Sequence, residues 1–344
     1  MKKICICGSF GFGRESLNGQ TIKTEIITDY YRSVYGDEEV SMIDTQGVKN
    51  ILLLPLRLFF AFLNSKNIII LPAYNALRVV APLCGFFQFF FGKKTHYFVI
   101  GGWLANYLKR HRIVASSIKR FAGIYAETST LKNALNKMGY NNIVVIPNFK
   151  HLTINEDVFK QDSIPPLRLC TFSRICKMKG IGDAVEAVNS INNERGADVV
   201  SLDIYGRVDE DPGVQEWFDD LKKSFSSSIH FKGAIRYDKS VETLKDYHIL
   251  LFPTRYYTEG IPGTIIDAYA AGLPVIASCW ESGKDIVVQG ETGILYSFGD
   301  NDALKNSIVE LLDNPSSILS MKKECINAAR NYLPEKALEE IVLK

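Results

Sequence analysis

Short apolar runs alternate with longer segments of helical period along the whole chain, and the rhythm occurs twice. In the first half, residues 4–7, 67–71, 97–100, 123–125 and 143–146 read as buried strands, with helices such as 20–35 and 130–138 between them. The second half gives strands at 167–172, 199–205, 229–231, 249–252 and 274–277, again separated by helices. Runs that are apolar throughout belong to strands covered on both faces, the mark of parallel sheets. The expectation is an α/β chain of two Rossmann-like, doubly wound domains, residues 1–160 and 166–333, with a segment 334–344 tying them together. The polar stretch 155–166 is the natural linker. Ligands of such sheets lie beyond the carboxyl ends of the strands, here expected in a cleft between the domains.

The length of 344 residues suits two domains, and 47% hydrophobic with 23% charged residues excludes a disordered chain, a collagen-like repeat and a small disulfide scaffold. The net charge of +2 hides a division. Residues 1–150 hold 19 Lys/Arg against 8 Asp/Glu, and residues 151–344 hold 21 against 30. From Thr45 to Ala126 there are eleven basic side chains and no acidic one, so the first half expects an anionic neighbour. Seven cysteines form no paired framework; Cys5 and Cys7 fall on one face of a strand as small core residues. Met1-Lys2-Lys3 leads straight into a strand without a secretory pattern, and a reduced, cytoplasmic protein is expected. Segments 51–63 and 79–91 are strongly apolar yet shorter than the ~20 residues that span a bilayer. They read either as helices buried on the sheet or as an interfacial surface flanked by basic clusters.

The stretch 252–277 carries the most chemistry. A buried strand ends near Thr254, an acid (Glu259) sits on the following loop, and a helix starts around Pro262. Gly263 and Thr264 present amides at the positive end of that helix, a seat for phosphate. Asp267 lies about a turn further in. Carboxylates beside a phosphate seat suit hydroxyls, and those of a sugar and a ribose are the natural partners.

Glu259, seven residues, Asp267, then Ala-x-Ala-x-Gly-x-Pro-Val-Ile-Ala-Ser resembles the nucleotide-sugar signature of family-4 glycosyltransferases with the GT-B fold. Phe172-Ser173-Arg174 running to Lys179-Gly180 is similar to that family's Arg…Lys-Gly turn, and 229–233 and 291–295 fit its later strand and loop signatures. Asn18-Gly19-Gln20 resembles its glycine loop and 145–149 its closing strand. The resemblance implies two facing domains and a retaining transferase that moves a sugar from a nucleotide-diphosphate sugar to a lipid-linked or growing surface glycan. It implies that Arg174 and Lys179 grip the pyrophosphate, that Glu259 binds a donor-sugar hydroxyl and that Asp267 holds the ribose. Gly260, Ile261, Pro262, Gly263 and Thr264 supply contacts, and Gly19, Gly206 and Ile235 complete the substrate-binding set. No cofactor or metal is implied, nor nucleic acid; an anionic membrane surface on the inner face is an expected partner of the basic domain.

The chain departs from the family at three places. Asp267 stands where Glu is common, Pro262 replaces a frequent glycine, and Gly101-Gly102-Trp103 follow the strand after which relatives place a histidine. His96, expected just before that strand, and His111 receive no catalytic role. Retaining members work without a protein base, the leaving phosphate taking the acceptor's proton.

Plainer readings stand beside these. Arg174 and Lys179 could be solvated charges at a helix start, Glu259 a loop acid, and Asp267 a complement to its helix end. Asp209-Glu210-Asp211 and Asp300-Asn301-Asp302 spell a metal-holding Asp-x-Asp, but one runs into a Pro-Gly turn and the other precedes a helix it can cap. Gly8-Ser9-Phe10-Gly11-Phe12-Gly13 misspells the dinucleotide fingerprint. A noncatalytic nucleotide-sugar-binding protein and, further off, a nicotinamide-dependent oxidoreductase are the alternative functions.

Overall fold

The computed structural model describes residues 1–10, 19–72, 74–155, 165–339 and 341. Gly11-Phe12-Gly13 of the glycine-rich run, Asn18, most of the expected linker (156–164) and the last residues lie outside them. The chain divides into two compact units, Met1–His151 with Leu333–Lys344, and Leu152–Tyr332.

The first unit is built on a six-stranded parallel sheet. Its strands are β1 (Lys2–Gly8), β2 (Val40–Asp44), β3 (Ser65–Ile70), β4 (Lys94–Phe98), β5 (Gly123–Ala126) and β6 (Ile143–Val145), in the order β2-β1-β3-β4-β5-β6. All five strand pairs are parallel. Two of these strands correct the sequence reading. β2 was not anticipated, because Met42 and Ser41 interrupt its apolar run and only Val40 and Ile43 are buried. β4 begins three residues before the expected 97–100, and His96 lies inside it. The buried imidazole is tolerated there because it is satisfied: Nδ1 lies 3.0 Å from the Tyr125 hydroxyl and Nε2 3.3 Å from Asn67 Oδ1.

Helices cover both faces of the sheet. Gly19–Tyr35 packs through Ile26, Ile27 and Tyr31 into a cluster that also receives Ala337, Leu338 and Ile341 from the returning C-terminal segment. On the other face lie Leu54–Asn64 and Leu77–Phe91, with Cys5, Cys7 and Cys84 in the core beneath them. These two helices are the apolar segments noted above. Each buries one side on the sheet and leaves large apolar side chains exposed on the other. Among the described residues no helix is long and apolar enough to cross a membrane.

The second unit repeats the plan with β7 (Leu167–Phe172), β8 (Val200–Tyr205), β9 (Ile229–Gly233), β10 (Ile249–Phe252), β11 (Val275–Ser278) and β12 (Gly293–Tyr296). The order β12-β11-β10-β7-β8-β9 is that of a doubly wound dinucleotide-type sheet, and the connections reverse direction between β7 and β10. β12, read from sequence only as part of a motif, closes the far edge against β11. Two parallel six-stranded sheets with helices on both faces establish the expected two-domain α/β fold class.

Candidate active site

The reversal point fixes where chemistry can gather in the second unit. β7 and β10 are neighbours in the sheet, so the loops leaving their carboxyl ends start side by side. The β7 loop carries Arg174, a short 3-10 turn Lys177–Lys179 and Gly180, which opens the helix Ile181–Arg195. The β10 loop runs from Pro253 to Pro262, the N-cap of the helix Gly263–Ala270. The Arg255 amide donates to the Met178 carbonyl at 2.8 Å, joining the two loops by backbone alone.

Glycine makes that approach possible. Gly180 has φ +69°, and a Cβ there would come within 1.9 Å of the Pro253 carbonyl oxygen. Gly206, just after β8, has φ +149°, and a Cβ there would lie 1.7 Å from the Ser173 oxygen beside Arg174. Only glycine fits at either position.

With the loops drawn together, the Lys179 ammonium meets the Glu259 carboxylate in a largely buried ion pair. Thr254 Oγ1 donates to the same Glu259 oxygen at 3.3 Å. The lysine also lies against the faces of Phe252 and Tyr256, 5.4 and 5.2 Å from the ring centroids. Thr264 Oγ1 donates to the Phe172 carbonyl at 2.7 Å, anchoring the start of the helix Gly263–Ala270 at the end of β7. The amides of Gly263 and Thr264 fall in the first helical turn, outside the helix's own bonding ladder. A positive charge, a carboxylate and a helix N-terminus thus share one end of one sheet, which suits a phosphorylated, hydroxyl-rich ligand.

The other expected residues take distinct places. Gly260 and Ile261 are buried in the loop between Glu259 and Pro262, and Asp267 is buried one turn into the helix. Ile235 is half-buried in the loop after β9, and the Gly206 amide donates to the Gly233 carbonyl at 2.9 Å. Gly19 belongs to the first unit, where it is exposed at the start of the helix Gly19–Tyr35. His111 is stacked on Tyr107.

Sequence reasoning missed three partners. Arg174, well exposed, donates to Asp209 Oδ2 at 2.7 Å. The first Asp-x-Asp therefore holds the arginine, a contact between loops leaving adjacent strands that no linear spacing announces. Arg255 makes a two-pronged contact with Asp183 at 2.7 and 2.8 Å, pinning the β10 loop to the helix Ile181–Arg195 and raising the guanidinium's pKa. Tyr256 closes over Lys179, and burial raises its hydroxyl pKa. The second Asp-x-Asp does cap a helix: Asp300 Oδ1 accepts from the Ala303 amide at 2.9 Å. Among the described residues no group of three or more His, Cys, Asp or Glu is placed to hold a metal.

Residues 166–314 match the family model described as Glycosyl transferases group 1. An uncharacterized glycosyltransferase of Methanocaldococcus jannaschii is 22% identical over 173 residues, 49% of this chain and 41% of that protein. The amylovoran biosynthesis glycosyltransferase AmsK of Erwinia amylovora is 24% identical over 158 residues, 45% of this chain and 38% of that protein. These matches cover less than half the length of those curated relatives. In three dimensions, HepE of Anabaena, solved with UDP, superposes with TM-score 0.73 at 15% identity over 99% of this chain and 98% of its own. Sucrose-phosphate synthase of Thermosynechococcus elongatus gives 0.74 at 15% identity over 98% and 97%. At that identity the likeness shows the fold: the chain has the two-domain α/β GT-B fold, and its residues 166–314 match the glycosyl transferases group 1 family model.

Proposed function

We propose that this protein moves a sugar from a nucleotide-diphosphate sugar to an acceptor, with retention of anomeric configuration. One observation carries the reading: Lys179 and Glu259, from the two strands that flank the reversal point, meet beside the N-terminus of the helix Gly263–Ala270 in a glycosyl transferases group 1 domain. In this reading Arg174 and Lys179 bind the pyrophosphate, and Glu259 binds a hydroxyl of the donor sugar. The Gly260–Thr264 backbone and Asp267 hold phosphate and ribose, with Gly206 and Ile235 completing the second unit's pocket; Gly19, in the first unit, is proposed as a further substrate-binding residue.

The chemistry follows from those charges. The bond between the anomeric carbon and the phosphate oxygen breaks, and negative charge grows on the leaving diphosphate. Fixed cations aimed at that charge lower the barrier, often as the largest single term. The acceptor hydroxyl attacks from the face the diphosphate leaves, and its proton passes to the departing phosphate oxygen. That step needs no side-chain base and yields retention.

The acceptor we propose is a lipid-linked or growing surface glycan, presented at the inner face of a membrane. Two similarities support this class. AmsK is named for amylovoran biosynthesis, and a 31% identical relative over 100 residues, from Corynebacterium glutamicum, is named as a mannosyltransferase of a phosphatidylinositol monomannoside.

The test is a thermal-shift panel of UDP, GDP, CDP and their sugar conjugates, with and without EDTA. A ligand at a hundred times its Kd adds about 2.7 kcal/mol and raises Tm visibly. Product from the stabilising donor, examined by NMR, then reports the anomeric configuration. Stabilisation by NAD(H) alone, or an inverted product, would overturn the reading.

A further inference from the structure

The helix Leu77–Phe91 buries Leu77, Val80, Ala81, Cys84 and Gly85, the spacing of a single helical face packed on the sheet. Its opposite face should then be polar. Instead Phe86, Phe89 and Phe90 are 57%, 74% and 64% exposed. The adjoining helix Arg112–Ile118 repeats the pattern, burying Val114 and Ile118 while Ile113 is 74% exposed. A groove of about 370 Å³ between the two helices is lined by Pro82, Phe86, Phe89, Ile113 and Arg120, so these side chains form one continuous surface. Contiguous exposed apolar area of this kind marks an interaction site.

Charge identifies the partner. Arg78, Arg112, Lys119 and Arg120 are exposed on the same two helices and the turn that follows, and the sequence from Thr45 to Ala126 contains no acid to balance them. A second copy of the chain would set this positive surface against itself. Glu38 and Glu39 line a separate groove with Arg57 and Phe60 and do not belong to this surface. Exposed aromatic rings, packed on one another (Phe86–Phe90 centroids 4.7 Å) and flanked by arginine and lysine, match the two requirements for lying on an anionic bilayer: apolar area to insert, and cations to meet lipid phosphates.

We infer that the face formed by Phe86, Phe89, Phe90 and Ile113 docks the protein on the surface of an anionic membrane. The inference deepens the membrane-facing part of the proposed function, yet it concerns the first unit alone and does not depend on turnover.

Vesicle flotation of the full chain tests it, using phosphatidylcholine with and without phosphatidylglycerol. Binding is expected only with phosphatidylglycerol, and it weakens as salt rises because exposed charges are screened. The triple variant Phe86→Ser/Phe89→Ser/Phe90→Ser is expected to bind at least about a hundredfold more weakly, since each inserted ring is worth about tenfold or more. Arg112→Glu/Lys119→Glu/Arg120→Glu should bind as weakly. The phenylalanine variant should keep the wild-type Tm because those side chains are exposed, and both variants should keep the wild-type thermal shift with nucleotide because the changed side chains lie outside the donor-site unit. Undiminished binding by the phenylalanine variant, or no vesicle binding by a folded wild type that still responds to nucleotide, would overturn the inference and leave the transferase reading standing. Self-association of the wild type that the same variant abolishes would also overturn it, by assigning the surface to a second copy.

Discussion

Lys179 and Glu259 stand eighty residues apart and meet head to head at the end of one sheet, each brought there by a loop leaving a neighbouring strand. The pair keeps an ammonium and a carboxylate fixed and largely dry before any substrate arrives. Lys179→Met should therefore lower turnover by about 10²–10³-fold, the usual cost of losing a preorganised charge at a leaving group. It also strands Glu259, with a loss of roughly 1–3 kcal/mol of stability. The double variant Lys179→Met/Glu259→Gln should recover that stability without recovering activity. Chemical denaturation and initial rates on all three proteins separate the two effects.

The closeness of the two loops rests on Gly180. Alanine there would have to adopt φ +69° and push the Pro253 carbonyl away from its Cβ. Gly180→Ala should cost about 2 kcal/mol or more and abolish the nucleotide-induced thermal shift, because the backbone bond from Arg255 to Met178 would open. Gly196→Ala is the control: it also has a positive φ, +65°, but nothing within 4 Å of its Cβ and no part in the site. Its loss should be confined to stability.

Much of this arrangement is legible in the sequence because it depends on local patterns. Apolar runs located ten of the twelve strands among the described residues, and the parallel, doubly wound class followed from their spacing. β2 escaped because polar Ser41 and Asp44 and exposed Met42 leave only Val40 and Ile43 as buried signal. His96 was placed outside β4 because pattern reading cannot see Tyr125 and Asn67, the partners that let an imidazole sit in a strand. Lys179 and Glu259 were each singled out, but their contact depends on which strands are neighbours. Asp209 was read as a turn residue for the same reason: its partnership with Arg174 comes from the pairing of β7 with β8.

Arg174 and Asp209 pair between the loops that leave the adjacent strands β7 and β8. The pair is exposed on the arginine side, where a salt bridge is worth about 0–1 kcal/mol. A diphosphate that recruits Arg174 must compete with Asp209 for it. Asp209→Asn should tighten nucleoside-diphosphate binding by up to about fivefold, while Arg174→Ala weakens it and lowers kcat by about 10²–10³-fold. Isothermal titration of the two variants decides the direction; equal affinity in both would remove Arg174 from the phosphate site.

Burial, with Lys94 adding to it, pushes His96 from its ordinary value of 6.5 down to about 4. The unfolded chain therefore takes up a proton near pH 6.5 that the native protein refuses until about pH 4. Stability from this group is complete above pH 6.5, falls as the pH drops between the two values, and is level below them. The shift corresponds to about 3 kcal/mol at most. His96→Asn should flatten the decline of stability between pH 6.5 and 5, measured by urea unfolding at each pH. An unchanged slope would mean that His96 is not the group responsible.

The first unit holds its own buried ion pair. Lys23, on the helix Gly19–Tyr35, places Nζ 2.7 Å from Glu127 Oε1, just beyond β5, and the two side chains are 3% and 4% exposed. The other Glu127 oxygen accepts the Gly101 amide at 3.1 Å, so the carboxylate fastens both a helix and the loop after β4 to the sheet. Removing one partner takes away a buried countercharge, which costs about 3–5 kcal/mol. Glu127→Gln retains an acceptor for Gly101 but not a countercharge for Lys23, and it should lose most of that amount. Lys23→Met takes the ammonium away from Glu127 while the Gly101 amide still donates to the carboxylate, and it should also lose stability. The double variant Lys23→Met/Glu127→Gln should be markedly more stable than either single one, because no charge remains buried. Denaturant midpoints for the four proteins give the coupling directly, and additive losses would show that the pair does not act as a unit.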